Sequence, residues 1–175
     1  INLTILTKLR LKKKKFFIFN IHRPDMTDNK KNLTNIINFF SELSKKKNIK
    51  IIFPIHPRTQ KKIKIYKIKS FNNLKIINPC NYYDFLSLQK NAKIIFTDSG
   101  GIQEEACILR TPCITIRKNT ERPETIKIKS NVLAGYNLKK INILLTNMLK
   151  SKIKWKNPYG NNVSSKILRV LKKNN

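Results

Sequence analysis

Residues 97–106 read TDSGGIQEEA, and the fold turns on how that stretch is parsed. Three apolar residues, Ile94, Ile95 and Phe96, lead into it and predict a short buried strand. Asp98 and Ser99 carry helix N-cap chemistry, and Gly100 and Gly101 let the backbone turn tightly. From Ile102 the apolar period becomes helical, with Ile102, Ala106 and Leu109 on one face. A strand that ends in Ser-Gly-Gly and opens a helix suits an anion. The first N–H groups of a helix have no internal partner, and the helix dipole adds partial positive charge there. Without a Cβ at Gly100 and Gly101, a phosphate can approach the backbone closely. An ordinary capped strand–turn–helix reads the same way, so this stretch decides nothing alone.

Helix geometry separates the two glutamates. At about 100° per residue, Glu105 falls roughly 60° from Ile102, on the border of the apolar face. Glu104 falls nearly opposite, toward solvent. A carboxylate at that border, one turn below a phosphate site, can reach a ribose hydroxyl.

Working outward, residues 16–21 (FFIFNI) predict a strand buried on both faces, ending at His22-Arg23-Pro24-Asp25. A polar cluster just past the carboxyl end of a buried strand is where open α/β sheets bind ligands. An amphipathic helix follows over 32–46, then a strand over 49–55 that ends at HPRT, residues 56–59. Residues 63–71 predict a helix and 74–77 a short strand. PCNYYDF, residues 79–85, enters a helix that holds Phe85, Leu86 and Leu88. After the TDSGG helix come a strand over 113–116, the polar segment 117–124, and a short strand over 132–134. A helix over 137–149, a turn at NPYG (157–160) and a helix over 163–171 finish the chain. This alternation predicts an α/β fold with a parallel, Rossmann-like sheet.

The formal charge is +29 over 175 residues, which raises nucleic acid as a partner. Lysine greatly outnumbers arginine and is scattered, whereas base readers and phosphate clamps favour arginine. The pattern fits a biased coding source, and no specific nucleic-acid binding is expected. Cys80, Cys107 and Cys113 are odd in number and lack metal spacing, so they read as reduced thiols of a cytoplasmic protein. No membrane span and no signal peptide are expected, and an opening at Ile1 suggests a fragment or an unusual start.

HRPDMTD, HPRT, PxxYxxF (Pro79, Tyr82, Phe85), TDSGGIQEEA, TERPET (120–125), SNVLAG (130–135) and NPYG occur in this order. Together they resemble the non-hydrolysing UDP-N-acetylglucosamine 2-epimerase family, over essentially the whole chain. HRPxxTD and HPRT look most like the branch acting on UDP-diacetamido-uronic acids. The resemblance implies a two-lobed glycosyltransferase-B architecture, of which this chain matches the second, UDP-binding lobe (residues 16–175). Residues 1–15 look like an interlobe lead-in, and the N-terminal lobe, which supplies acid/base groups in the family, is absent from the sequence. Also implied are isomerase chemistry in polysaccharide biosynthesis, a UDP-sugar substrate, no metal or redox cofactor, and a homodimer for a complete two-lobed protein.

By the same resemblance, Ser99, Gly100 and Gly101 would hold the diphosphate and Glu105 the ribose. Phe85 and Arg122 would lie near the uracil, and His22 would sit by the diphosphate and sugar as a proton-transfer group. Each has a plainer reading: Phe85 as helix core, Arg122 as a solvated loop residue, His22 as a hydrogen-bonded strand end. His56 reads as structural, and Glu124 as ordering the Arg-Pro loop. Departures from the family are Asp25-Met26 in place of Glu-Asn, and Arg110 and Lys129 where small residues are usual. Strain is expected at those last two if the backbone there needs positive φ. Other readings are a catalytically incomplete UDP-sugar-binding remnant, a two-lobed glycosyltransferase, and a basic nucleic-acid binder.

Overall fold

Strands alternate with helices along the chain, and the strands are too short and apolar to stand alone. The computed structural model describes residues 4–69, 71, 73–151 and 154–173. Among them, six strands form one sheet: β1 (Phe16–Asn20), β2 (Lys50–Pro54), β3 (Leu74–Ile77), β4 (Ile94–Thr97), β5 (Cys113–Thr115) and β6 (Asn131–Leu133). Every neighbouring pair is parallel, in the order β3-β2-β1-β4-β5-β6. The helices are α1 (Thr4–Lys8), α2 (Pro24–Thr27), α3 (Lys30–Lys47), α4 (Pro57–Ile65), α5 (Tyr82–Asn91), α6 (Gly100–Ile108), α7 (Pro123–Lys127), α8 (Leu138–Lys150) and α9 (Val163–Lys173). Strand order reverses between β1 and β4, so their carboxyl ends flank a topological switch point, where doubly wound sheets open a crevice.

Side chains alternate across each strand, so the sheet feeds two cores. Phe17 and Phe19 of β1 pack with α3 and α8, through Ile36, Ile37, Phe40, Ile141 and Leu145. Phe19 stacks on Phe40 with centroids 4.1 Å apart, and Phe40 meets Phe96 edge-on at 4.8 Å. Phe16 and Ile18 point the other way, toward Leu88, Ala92, Ile102 and Ala106 of the α5–α6 side. Ile5 and Leu6 of α1 are buried in this second core, so the lead-in segment folds onto the lobe. Lys14 fastens it: its ammonium donates to the carbonyls of Lys90 and Ala92 at 2.7 and 2.9 Å, at the end of α5.

The abundant asparagines do specific work at helix starts. Asn29, Asn81 and Asn137 each accept a hydrogen bond from the backbone three residues on. The helix expected over 63–71 begins earlier, at Pro57, and ends at Ile65. The His56-Pro57 pair is an N-terminal signal, with the imidazole Nδ1 accepting from Arg58 N–H and proline at the first turn.

Arg110 (φ 56°) and Lys129 (φ 61°) both sit in the left-handed region, which meets the condition for strain at these two positions. An L-residue there costs roughly 1–2 kcal/mol, against about 0.5–1 kcal/mol of backbone entropy lost by glycine. Arg110→Gly is therefore expected to raise stability by roughly 0.5–1 kcal/mol. A urea titration reads this directly, and an unchanged or lowered midpoint would show that the Arg110 side chain offsets its own backbone strain.

Candidate functional site

The carboxyl ends of β1 and β4 meet over a single carboxylate. Asp98 is fully buried. It accepts from the backbone N–H of His22 at 2.9 Å and of Arg23 at 2.8 Å. Its other oxygen lies 3.2 Å from His22 Nδ1. The carboxylate thus holds the His22-Arg23 turn against the start of α6 and directs His22 Nδ1–H inward. Nε2 is left as the nitrogen that can exchange a proton with a ligand.

Ser99 caps α6, its hydroxyl accepting from Ile102 N–H at 3.5 Å, and Thr97 Oγ1 accepts from Ser99 N–H at 3.0 Å. Gly100 and Gly101 begin the helix. A Cβ on Gly100 would come within 3.0 Å of Glu121 Oε2, whereas Gly101 faces open space apart from Ser99 Oγ at 4.0 Å. Glu121 is held by Arg117 at 3.0 Å and approached by Arg23 at 3.7 Å. These arginines hold its carboxyl below the usual range. The mouth of α6 therefore combines unpaired backbone N–H groups with Arg23, Arg117 and Arg122.

α6 lies between α5 and α7, and this decides where its two glutamates go. Glu105 turns to α5 and accepts from Gln89 Nε2 at 2.6 Å. Phe85 is one turn before Gln89 on α5, so both share the face toward α6. Gly101 is likewise one turn before Glu105. The contact between Gln89 and Glu105 thus joins the α5 face that carries Phe85 to the α6 face that carries Gly101. Beside Phe85 is a slot of about 130 Å3 bounded by Asn20, Pro54, His56, Pro79 and Cys80.

Glu104 does not point to solvent as the helical wheel predicted. It is half-buried against Arg122 Nε at 2.6 Å, because the loop before α7 covers that side of the helix. Arg122 consequently lies on the opposite flank of α6 from Phe85, and the two are not brought together. A buried polar network positions it: Gln103 Oε1 accepts from Thr120 Oγ1 at 2.5 Å and from Asn131 Nδ2 at 3.0 Å. Thr120 Oγ1 in turn accepts from Arg122 N–H at 3.0 Å.

Sequence reasoning missed Asp98 as the organising carboxylate, and it also missed Glu121, Gln89 and the Gln103–Asn131 pair. Asp98 had a usable signal, since a charged residue directly after a fully apolar strand is buried only if it is paired. The remaining motifs are stitches. Thr59 Oγ1 donates to Ile21 O at 2.6 Å, and Arg58 pairs with Asp28 at 2.9 Å. Met26 is buried in the core, and Asp25 accepts from Tyr136 O–H at 3.1 Å. Burial and that carboxylate push the Tyr136 phenol up to about 12. Tyr159 of NPYG donates to Glu124 at 2.7 Å, and Trp155 donates to Cys107 O at 2.9 Å, pinning the tail over α6 and α7. Among the described residues, no three His, Cys, Asp or Glu side chains are grouped to hold a metal ion.

His56 and His22 lie ring to ring, 5.0 Å apart. Partial loss of water around His56, then the neighbouring His22 and Arg58, lower its pKa, while Asp98 opposes them. The folded state thus disfavours protonated His56. Its contribution to stability is fully present above about pH 6.5 and is lost as pH falls through the lower folded value. The urea midpoint is expected to drop on acidification from about pH 7.5 to about pH 5.5, and to drop less in His56→Asn, which keeps a capping side chain. An identical drop in both proteins would assign it to other groups.

The chain is a doubly wound α/β lobe with a glycine-opened helix N-terminus at its switch point. The UDP-N-acetylglucosamine 2-epimerase family model matches residues 2–172, and the chain belongs to that family. It is 48% identical over 161 residues to the UDP-N-acetylglucosamine 2-epimerase of Methanococcus maripaludis, covering 90% of this chain and 44% of the relative. The Methanocaldococcus jannaschii UDP-GlcNAc 2-epimerase, solved in complex with UDP-GlcNAc and UDP, superposes with a TM-score of 0.89 at 44% identity. That match covers 98% of this chain and 49% of the other. An Escherichia coli heptosyltransferase shares the fold at a TM-score of 0.58 and 15% identity, over 82% of this chain and 46% of the other. The chain spans about half the length of the curated relatives it matches.

Proposed function

We propose that this lobe binds the UDP moiety of a UDP-N-acetylhexosamine for 2-epimerisation. The reaction removes the C2 proton and breaks the anomeric C–O bond, giving UDP and a 2-acetamidoglucal. UDP and a proton then add back with C2 inverted. The observation that carries this reading is the α6 N-terminus at the switch point, with Gly101 exposed and clear of close neighbours and Glu105 one turn below it. Backbone donors and nearby arginines stabilise the charge that develops on the leaving UDP.

In this reading Ser99, Gly100 and Gly101 receive the diphosphate, Glu105 the ribose hydroxyls, and Phe85 with its adjoining slot the uracil. Arg122 serves the diphosphate side, near Glu121, and His22 Nε2 faces the leaving phosphate. Free thiols at all three cysteines support a reducing, cytoplasmic setting, and burial pushes the Cys113 thiol up to about 12. Among the described residues no helix is long and apolar enough to cross a membrane. A homodimer is the proposed assembly of a complete two-lobed protein, to be read by light scattering.

Calorimetry with UDP tests the binding reading, and a folded chain that fails to bind millimolar UDP would overturn it. Deuterium exchange at C2 of UDP-GlcNAc, run in parallel with the UDP-diacetamido-uronic acid, tests turnover and branch. A second reading is a UDP-sugar-binding lobe without catalysis of its own, and exchange by the chain alone would exclude it.

Gly101→Ala separates fold from ligand. The added methyl meets nothing closer than 4.0 Å, and alanine in a helix gains roughly 0.5–1 kcal/mol over glycine. Stability should rise while UDP affinity falls by about tenfold or more, roughly 1.4 kcal/mol. Unchanged affinity would move the diphosphate off this face of α6.

A further inference from the structure

The amino ends of the strands, at the opposite pole from the α6 mouth, hold a second concavity. It is a groove of about 550 Å3 between the segment leading into β1, the end of α3 and the starts of β2 and β3. Arg10, Lys12, Lys15, Lys45, Lys50 and Lys75 line it, and no carboxylate does. Among the described residues none of the six has an ion-pair partner. The nearest acid on α3, Glu42, is turned to Lys46. A cation in the last turn of a helix complements the dipole, which accounts for Lys45. Lys50 already donates to Arg10 O at 3.0 Å. Of the other four, Arg10, Lys12 and Lys15 come from the segment leading into β1 and Lys75 from β3, and they converge on one hollow, where their mutual repulsion is relieved by a multivalent anion.

The lining also contains no aromatic side chain. Single-stranded nucleic acids are held by stacking their bases on aromatic platforms as well as by charge. A ligand that is all phosphate loses nothing from that lack. We infer that this groove is a binding site for a short linear polyphosphate, distinct from the nucleotide site and independent of its assignment.

The test is calorimetry with inorganic tripolyphosphate at about 0.1 M salt, with UDP at saturation so that the α6 mouth is occupied. Lys12→Gln/Lys45→Gln/Lys75→Gln is compared with Lys61→Gln/Lys127→Gln/Lys140→Gln, three exposed lysines elsewhere, so both variants carry the same net charge. The groove variant is expected to bind about tenfold or more weakly, and the control to stay within about twofold of wild type. Lys12→Gln/Lys75→Gln leaves the end of α3 intact and should show a smaller loss in the same direction. Equal losses in both triple variants would show that bulk charge, not a site, holds the ligand. Absence of binding by the wild-type chain at millimolar tripolyphosphate would also overturn the inference. So would a single-stranded RNA oligomer that binds more tightly than tripolyphosphate and is weakened by the same three substitutions.

Discussion

Asp98→Asn is expected to lower stability by roughly 2–4 kcal/mol, because a buried donor left unpaired costs about 1–3 kcal/mol. The carboxylate receives two backbone N–H groups and faces His22 Nδ1, and it has no contact with solvent. Asparagine offers one carbonyl oxygen for these donors and turns an NH2 group toward the rest. The urea midpoint should fall with little change in slope. UDP affinity should fall too, even where the variant is folded, because His22 and Arg23 lose the anchor that sets them over α6. Asp98→Ala should be at least as damaging. A loss below about 1 kcal/mol would mean that the His22-Arg23 turn is held by other contacts, such as Thr59 to Ile21 O.

Glu105→Gln is expected to weaken UDP binding by roughly ten- to a hundredfold while leaving the fold intact. Two ribose hydroxyls donating to a carboxylate contribute on the order of 1.5–3 kcal/mol, and about 1.4 kcal/mol is a factor of ten. A glutamine at 105 can still accept from Gln89 Nε2, so the α5–α6 contact survives. Glu104→Gln removes the ion pair with Arg122, whose partners are each about one-third exposed. Such pairs contribute little, so UDP affinity should change by less than about threefold. Deoxy-UDP should narrow the gap between the wild-type chain and Glu105→Gln, since the lost hydroxyl and the lost charge belong to one interaction. Equal losses in Glu104→Gln and Glu105→Gln, or a larger loss in Glu104→Gln, would place the ribose on the α7 side of the helix.

The strands, most of the helices and the family were legible because their determinants are local. Phe16 to Phe19 and Ile94 to Phe96 are apolar without interruption, as strands covered on both faces must be. Ser99-Gly100-Gly101 marked the start of α6 by its capping chemistry and lack of Cβ. The residue types usual at Arg110 and Lys129 raised positive φ there as a condition for strain, and the backbone meets it. The helix expected over 63–71 lies at Pro57–Ile65 instead, because the His56-Pro57 pair sets its start and capping fixes a helix start more firmly than interior propensity.

The two glutamates show where local reading stops. A helical wheel assumes one buried face, and by that rule Glu104 belongs to solvent. In the folded chain the loop before α7 closes over the far flank of α6, and the Arg122 guanidinium meets Glu104 there. The sequence by itself determined the strand–helix alternation, the capped, glycine-opened start of α6 and the face on which Glu105 lies, since each follows from periodicity and backbone chemistry within a dozen residues. The tertiary structure alone decided that Asp98 is the hub of the site, that Glu121 sits over Gly100, and that Arg122 stands across α6 from Phe85. Those facts depend on which loops meet at the switch point, and residues from β1, α6 and the β5–α7 loop are neighbours only after the crossovers have closed.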